Sequence, residues 1–248
     1  METLVFFPGY LSPPAGFSGF REAFSGYRLL EAEPRPDPLA AADAWAERLP
    51  EGAHIVAFSE AAIPAVRLAA EKHAKTLVLF SPVVRRDDAL TWRLKALLQA
   101  LELGGVEAFF TAAAPWFLGS LLLSRGRAQL EAWKAGLENR DLSAWLGAML
   151  DLRDERKWLR TLNLPVLVAV GAEDVFTPLR YGHEVTEWVP ELKGMLVTVE
   201  GAGHLVPWEN PTEAAAVARG FIERREAFLE WPEEEGKAPL RFEPEAPN

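Results

Sequence analysis

Residues 54–67 read HIVAFSEAAIPAVR. The five positions from His54 to Phe58 have the length and apolar composition of a strand buried on both faces. Ser59 follows at once, and then a segment of small and branched apolar residues that reads as a helix. Two arrangements fit a strand that passes through a serine into a helix. Either the serine simply caps the helix, as short polar side chains do, or a sharp turn presents its hydroxyl at the end of the sheet. The stretch alone leaves both open.

Similar runs recur along the chain: TLVFF (3–7), YRLLEAE (27–33), TLVLF (76–80), PVLVAV (165–170) and MLVTVE (195–200). Most are too continuously apolar for a sheet with one wet face. Helical segments lie between several of them, and three pairs, Asp37-Pro38, Thr177-Pro178 and Asn210-Pro211, have the pattern of a capping side chain before a proline at a helix start. Strand alternating with helix predicts a mostly parallel sheet covered on both faces.

One interval breaks this alternation. From Arg85 to Thr161 no strand is apparent. Leu94, Leu97, Leu98 and Leu101 fall at helical spacing, as do Leu142, Trp145, Leu146, Met149 and Leu150. Five tryptophans, at 92, 116, 133, 145 and 158, lie here. The interval is expected to form a helical insertion over one edge of the sheet, with its aromatics chiefly in its own core. The tail from Pro232 to Asn248 is rich in proline and glutamate and is expected to be a flexible or surface-clinging extension.

The 248-residue chain is long enough for one large domain carrying an insertion. A formal charge of −10 disfavours nucleic acid and anionic membrane surfaces as partners. Cysteine is absent, so disulfides and thiolate metal sites are excluded. No metal-ligand cluster is apparent and no cofactor is expected. METLVFFPGY carries no basic leader, and the apolar stretch 109–123 is shorter than the roughly 20 residues of a membrane span. A cytoplasmic location is the expectation, and the abundance of Glu, Arg and Pro hints at a thermophilic source.

Three segments carry chemistry. Around Ser59 the small residues Ala57 and Ala61 stand two positions to either side, where a sharp strand–turn–helix junction needs little bulk. After the strand PVLVAV come Glu173 and Asp174, two candidate acids at the carboxyl end of a strand, where open parallel sheets place functional groups. After MLVTVE, the glycines of Gly201-Ala202-Gly203 allow a tight loop that delivers His204. His54, His73 and His183 lie at a strand start or in helical surroundings, and are expected to be structural or solvated.

The order Ser59…Asp174…His204, with the wording GAEDVFTP and GAGHLVPWENP, resembles the α/β-hydrolase superfamily over nearly the whole chain, in the manner of small capped carboxylesterases and proline-iminopeptidase-like proteins. The resemblance implies Ser59 as nucleophile, His204 as general base and Asp174 as its orienting acid. It implies an oxyanion hole made of the backbone N–H groups of Tyr10 and Glu60. It also implies a core of residues 1–84 and 162–231, a cap of residues 85–161, and six strands in the family order 4-3-5-6-7-8, without the family's N-terminal hairpin.

Two departures stand out. Alanines replace both glycines of the family's G-x-S-x-G, and Pro8-Gly9 stands for the usual His-Gly. Proline removes the N–H of residue 8 and leaves that of residue 10. The function expected from the resemblance is hydrolysis of a carboxylic ester, or a thioester, whose apolar acyl or aromatic group is held under the cap. Alternatives on the same fold are a lyase or C–C bond hydrolase, an aminopeptidase using Glu102, Glu107 or Glu131 to hold a free amine, and a non-catalytic binding protein.

Overall fold

The computed structural model describes residues 1–13, 16–190 and 193–224, so the expectation for the tail 232–248 falls outside the described residues. In chain order the elements are β1 (Thr3–Phe7), α1 (Ser18–Ala23), β2 (Arg28–Glu31), α2 (Pro38–Trp45), β3 (His54–Phe58), α3 (Ala62–Glu71) and β4 (Thr76–Phe80). The insertion follows as α4 (Asp88–Phe117), α5 (Ser120–Arg125), α6 (Arg127–Glu138) and α7 (Leu142–Asp151). The chain then returns as β5 (Val166–Gly171), α8 (Leu179–Trp188), β6 (Gly194–Val199), α9 (Val206–Glu209) and α10 (Pro211–Glu223).

The six strands form one sheet in the order β2-β1-β3-β4-β5-β6, and every pairing is parallel. This is the expected order, with the "mostly parallel" of the sequence reading resolved to all parallel. Parallel neighbours need crossovers, and the crossover helices cover both faces. Successive side chains of a strand therefore enter two different cores. Leu4, Phe6, Val56, Phe58, Val78 and Phe80 pack with α1, α10 and the insertion. Val5, Phe7, Ile55, Ala57, Leu77 and Leu79 pack with α2, α3 and the segment before β5. Each alternation is two residues long, as the pleat requires.

Asp37 caps α2 by accepting the N–H of Leu39 at 2.9 Å, and Asn210 caps α10 by accepting that of Glu213. Thr177 does not cap α8. Its side chain turns toward the functional residues, as described below.

The insertion is helical throughout its α4–α7 span. Leu94, Leu97, Trp133, Leu142, Trp145, Leu146 and Met149 are buried in it, whereas Trp92 is 70% exposed and belongs to no core. By length and composition α4 could cross a membrane. It breaks instead at Gly104–Gly105, where Gly105 takes a φ of 63°, and packs on α6 and α7. The ends of the insertion are held together: the N–H of Glu155 donates to Val84 O at 3.0 Å, and Arg85 and Arg156 both bind the Glu184 carboxylate of α8 at 2.5 Å.

Candidate active site

Ser59 lies directly after β3 and adopts a φ of 57°, a left-handed conformation that costs a non-glycine residue of order 1–3 kcal/mol. The strain is held in place by its surroundings. The Ser59 carbonyl accepts the N–H of Val83 at 3.0 Å, and Ala57 and Ala61 on either side are buried. The junction therefore tolerates alanine where the family pattern has glycine. The turn continues as a short 3-10 segment, Ser59–Ala61, into α3.

His204 reaches Ser59 across 145 positions of sequence, its Nε2 standing 2.9 Å from Ser59 Oγ. On the other side of the ring, Nδ1 lies 2.9 Å from Asp174 Oδ2 and 2.8 Å from Thr177 Oγ1. An ionised carboxylate only accepts, so the proton of the neutral imidazole sits on Nδ1 and is shared between Asp174 and Thr177. Nε2 is then free to accept the Ser59 hydroxyl proton. Asp174 is itself fixed, accepting the N–H of Thr177 at 2.7 Å and its hydroxyl at 2.9 Å. Glu173, the rival acid, points elsewhere. Its carboxylate accepts the N–H of Ser120 at 2.6 Å, which lowers its pKa.

The loop carrying His204 is fastened from three directions. The His204 N–H donates to Phe117 O at 2.8 Å. Gly203 permits this approach: a Cβ there would lie 2.6 Å from Gly119 N. Glu209 accepts the N–H groups of Gly203 and Leu205 through Oε1, both at 3.0 Å, and that of Gly119 through Oε2 at 2.7 Å. Burial pushes the Glu209 carboxyl up to about 7, against the opposing pull of these three donors.

The relay is dry. Ser59, Asp174 and His204 are buried, and the rings of Phe58, Phe117 and Phe176 stand 5.0–5.1 Å from the imidazole. In such surroundings hydrogen bonds gain strength, and unpaired polar atoms become costly. Above the site, Trp133 Nε1 donates to Leu11 O at 2.9 Å and the N–H of Asp141 donates to the Tyr10 hydroxyl at 2.9 Å. The insertion thus closes directly on the loop after β1. A small apolar cleft lined by Ser12, Phe17, Phe58, Leu205 and Trp208 adjoins the neighbours of Ser59 and His204.

Tyr10 does not present a free amide. Its N–H donates to Glu60 Oε1 at 2.5 Å, and Glu60 is almost wholly buried. One of the two oxyanion donors implied by the sequence resemblance is therefore engaged by a carboxylate of the protein. Gly9 allows the close approach of this loop, since a Cβ there would meet the Phe58 ring at 2.9 Å.

Sequence reasoning missed Thr177, Glu209 and the side-chain role of Glu60. The Thr-Pro pair pointed to a helix cap, the partner of Glu60 is remote in sequence, and Glu209 joins two nearby amides of its own loop to the distant Gly119. His54 is buried and bonded to Thr76 at 2.8 Å, at the far end of β3 from Ser59, consistent with a structural role. Glu102, Glu107 and Glu131 are exposed, and Glu107 pairs with Lys134. Among the described residues no group of three or more His, Asp or Glu side chains is arranged to hold a metal ion.

A parallel sheet that brings a serine, an acid and a histidine together on loops at the carboxyl ends of its strands defines the α/β-hydrolase class of architecture. The chain belongs to the alpha/beta hydrolase family, whose profile matches residues 6–218. Solved structures agree on the fold. A thermophilic esterase from Thermogutta terrifontis superposes with a TM-score of 0.75 at 17% identity, covering 90% of each chain. An enol-lactonase from Burkholderia xenovorans LB400 gives 0.70 at 16% identity, over 92% of this chain and 91% of its own. Est816, an N-acyl homoserine lactone degrading enzyme, gives 0.72 at 14% identity, over 89% and 93%. No curated protein sequence matches the chain significantly.

Proposed function

We propose that the protein is a serine hydrolase that cleaves a carboxylic ester through an acyl-enzyme on Ser59. The observation that carries this reading is the 2.9 Å approach of His204 Nε2 to Ser59 Oγ, with Asp174 on the opposite ring nitrogen. His204 takes the hydroxyl proton as Ser59 Oγ bonds to the ester carbonyl carbon. Asp174 balances the imidazolium and holds its tautomer. The tetrahedral intermediate collapses as His204 returns that proton to the leaving alcohol. Water then attacks the acyl-enzyme by the same route and releases the acid.

The substrate carries an apolar acyl or aromatic group. Phe110, Phe117, Trp116 and Trp133 of the insertion lie in the core that also contains Phe58 and Leu205, beside the reacting groups. The esterase and the enol-lactonase that share the fold support this reading, and a lactone or thioester falls within the same chemistry. An aminopeptidase reading loses support because its three candidate acids are exposed.

The test is reaction of the purified protein with a fluorophosphonate probe, followed by mapping of the labelled residue. The expected result is a label on Ser59, with labelling and ester hydrolysis both abolished in Ser59→Ala. A label elsewhere, or ester turnover that survives the substitution, overturns the assignment.

A further inference from the structure

We propose that the Glu60 side chain is an internal competitor for the oxyanion site, a carboxylate that must leave the Tyr10 amide before that amide can stabilise a reacting ester. The inference rests on the hydrolase reading above and adds to it a residue that governs how fast Ser59 can react.

The geometry is specific. Glu60 is the residue immediately after the serine, so its backbone N–H stands at the helix start beside Ser59, while its side chain folds back to the loop after β1. There Oε1 accepts the Tyr10 N–H at 2.5 Å, a close approach for an N–H···O bond. A carboxylate oxygen resembles the oxygen of a tetrahedral intermediate in charge and in its demand for donors. The bond shows that the Tyr10 amide points at an acceptor oxygen held in place by the protein. A single N–H serves one such acceptor at full strength, so the two compete.

Burial makes the arrangement more than incidental. A buried carboxyl group is costly unless it is hydrogen-bonded, and Glu60 is bonded to the Tyr10 amide. The side chain also borders a narrow outlet. Glu60 lines a cleft with Pro8, Arg35, Pro38, Ala41 and Pro64, on the side of the loop facing α2. Widening of that cleft would let the side chain swing out, freeing the amide and bringing the carboxyl group toward the exposed Arg35.

The experiment compares second-order rates of Ser59 labelling by a fluorophosphonate in the wild-type protein, Glu60→Ala and Glu60→Gln. Glu60→Ala keeps the backbone N–H of residue 60 and removes the competitor. Glu60→Gln keeps the shape and an acceptor oxygen but loses the charge, which roughly halves the strength of the bond. The expected result is a labelling rate at least tenfold higher in Glu60→Ala, with a smaller gain in Glu60→Gln and parallel gains in kcat/KM for a p-nitrophenyl ester. General damage to the site would lower these rates, so an increase is not a structural side effect. Should Glu60→Ala fail to fold, a gain in Glu60→Gln supports the proposal and an equal or lower rate overturns it. Labelling of the wild type together with equal or slower labelling of folded variants overturns it too, and makes Glu60 a residue that holds the loop in shape. Absence of Ser59 labelling in all three proteins overturns the hydrolase reading, and this proposal with it.

Discussion

The hydroxyl of Thr177 lies 2.8 Å from Nδ1 of His204, as near to that nitrogen as the carboxylate of Asp174 at 2.9 Å. The same hydroxyl donates to Asp174 Oδ2 at 2.9 Å, so the three side chains form a closed triangle on the far side of the imidazole. Thr177 thereby holds Asp174 and His204 in register, and the Asp174 carboxylate is given a directed donor in a buried site.

Thr177→Val preserves the shape and removes the hydroxyl. A hydrogen bond to a charged group contributes about 1.5–3 kcal/mol, so kcat for ester hydrolysis should fall by roughly 10- to 100-fold. Asp174→Asn should cost more, on the order of 10⁴-fold, because the amide favours the wrong imidazole tautomer. Steady-state kinetics on the two variants check the ranking. Equal losses would mean that Thr177, and not Asp174 alone, fixes the tautomer.

Why Thr177 escaped notice in the sequence is instructive. Thr177-Pro178 has the same pattern as Asp37-Pro38, where the expected cap is found. A short side chain with an oxygen suits a helix start and a catalytic relay alike, and only the position of His204 decides between them. The strands were far more legible. β1, β3 and β4 coincide with TLVFF, HIVAF and TLVLF, because a parallel strand covered on both faces must be apolar at nearly every position. Their lateral order is another matter. Nothing in the composition of β1 says that it lies between β2 and β3, and the order became predictable only through family resemblance. Glu60 and Glu209 were hidden for the same physical reason: their carboxylates bind amides 50 and 90 positions away. Trp92 fails in the opposite direction, a large apolar side chain left in solvent at the start of α4.

Glu209 should make stability fall as the pH rises through neutrality. Burial raises its carboxyl from 4.5 to about 7 in the folded protein. Between these values the folded state binds a proton that the unfolded state has lost, so the group's contribution is full below about 4.5 and is gone above about 7. The window corresponds to up to about 3 kcal/mol, less where water reaches the half-buried side chain. Urea denaturation of the wild type and of Glu209→Gln at pH 4.5, 6 and 7.5 checks this, the variant serving as a reference that does not titrate. The stability of the wild type relative to the variant should drop across the series. A relative rise would show that the three backbone donors, and not burial, control the group.

Two glycines should respond oppositely to alanine. At Gly203 a Cβ would sit 2.6 Å from both Gly119 N and Leu118 C, backbone atoms that cannot turn aside as a side chain can. Gly203→Ala should cost about 3 kcal/mol and lower Tm by roughly 6–12 °C, with activity falling further because the displaced loop carries His204. At Gly147, inside α7, no atom lies within 4 Å of the position a Cβ would take. Gly147→Ala should raise stability by about 0.5–1 kcal/mol through reduced backbone entropy in the unfolded chain. Thermal melts of the pair test whether close approach, and not glycine as such, is what the His204 loop requires.

Access to Ser59 should depend on how tightly the insertion is tied to the loop after β1. The serine is 3% exposed, so a substrate reaches it only when the covering elements move. Two hydrogen bonds oppose that movement, from Trp133 Nε1 to Leu11 O and from the Asp141 N–H to the Tyr10 hydroxyl. Tyr10→Phe deletes the second acceptor, leaves the backbone N–H of residue 10 in place and keeps its aromatic ring. Loss of one such bond costs about 1 kcal/mol of stability, and the same amount is removed from the closed state relative to the open one. The open population should therefore grow by roughly fivefold, and kcat/KM for a bulky ester should grow with it as long as opening remains a rare prior step. A small ester and a bulky one, measured on both proteins, distinguish this from altered chemistry: a change in the reacting groups would alter kcat for both, whereas easier opening acts before the first bond is made. If Tyr10→Phe lowers stability by the expected amount and leaves kcat/KM unchanged, the insertion is already mobile on the timescale of turnover and these two bonds do not gate the site.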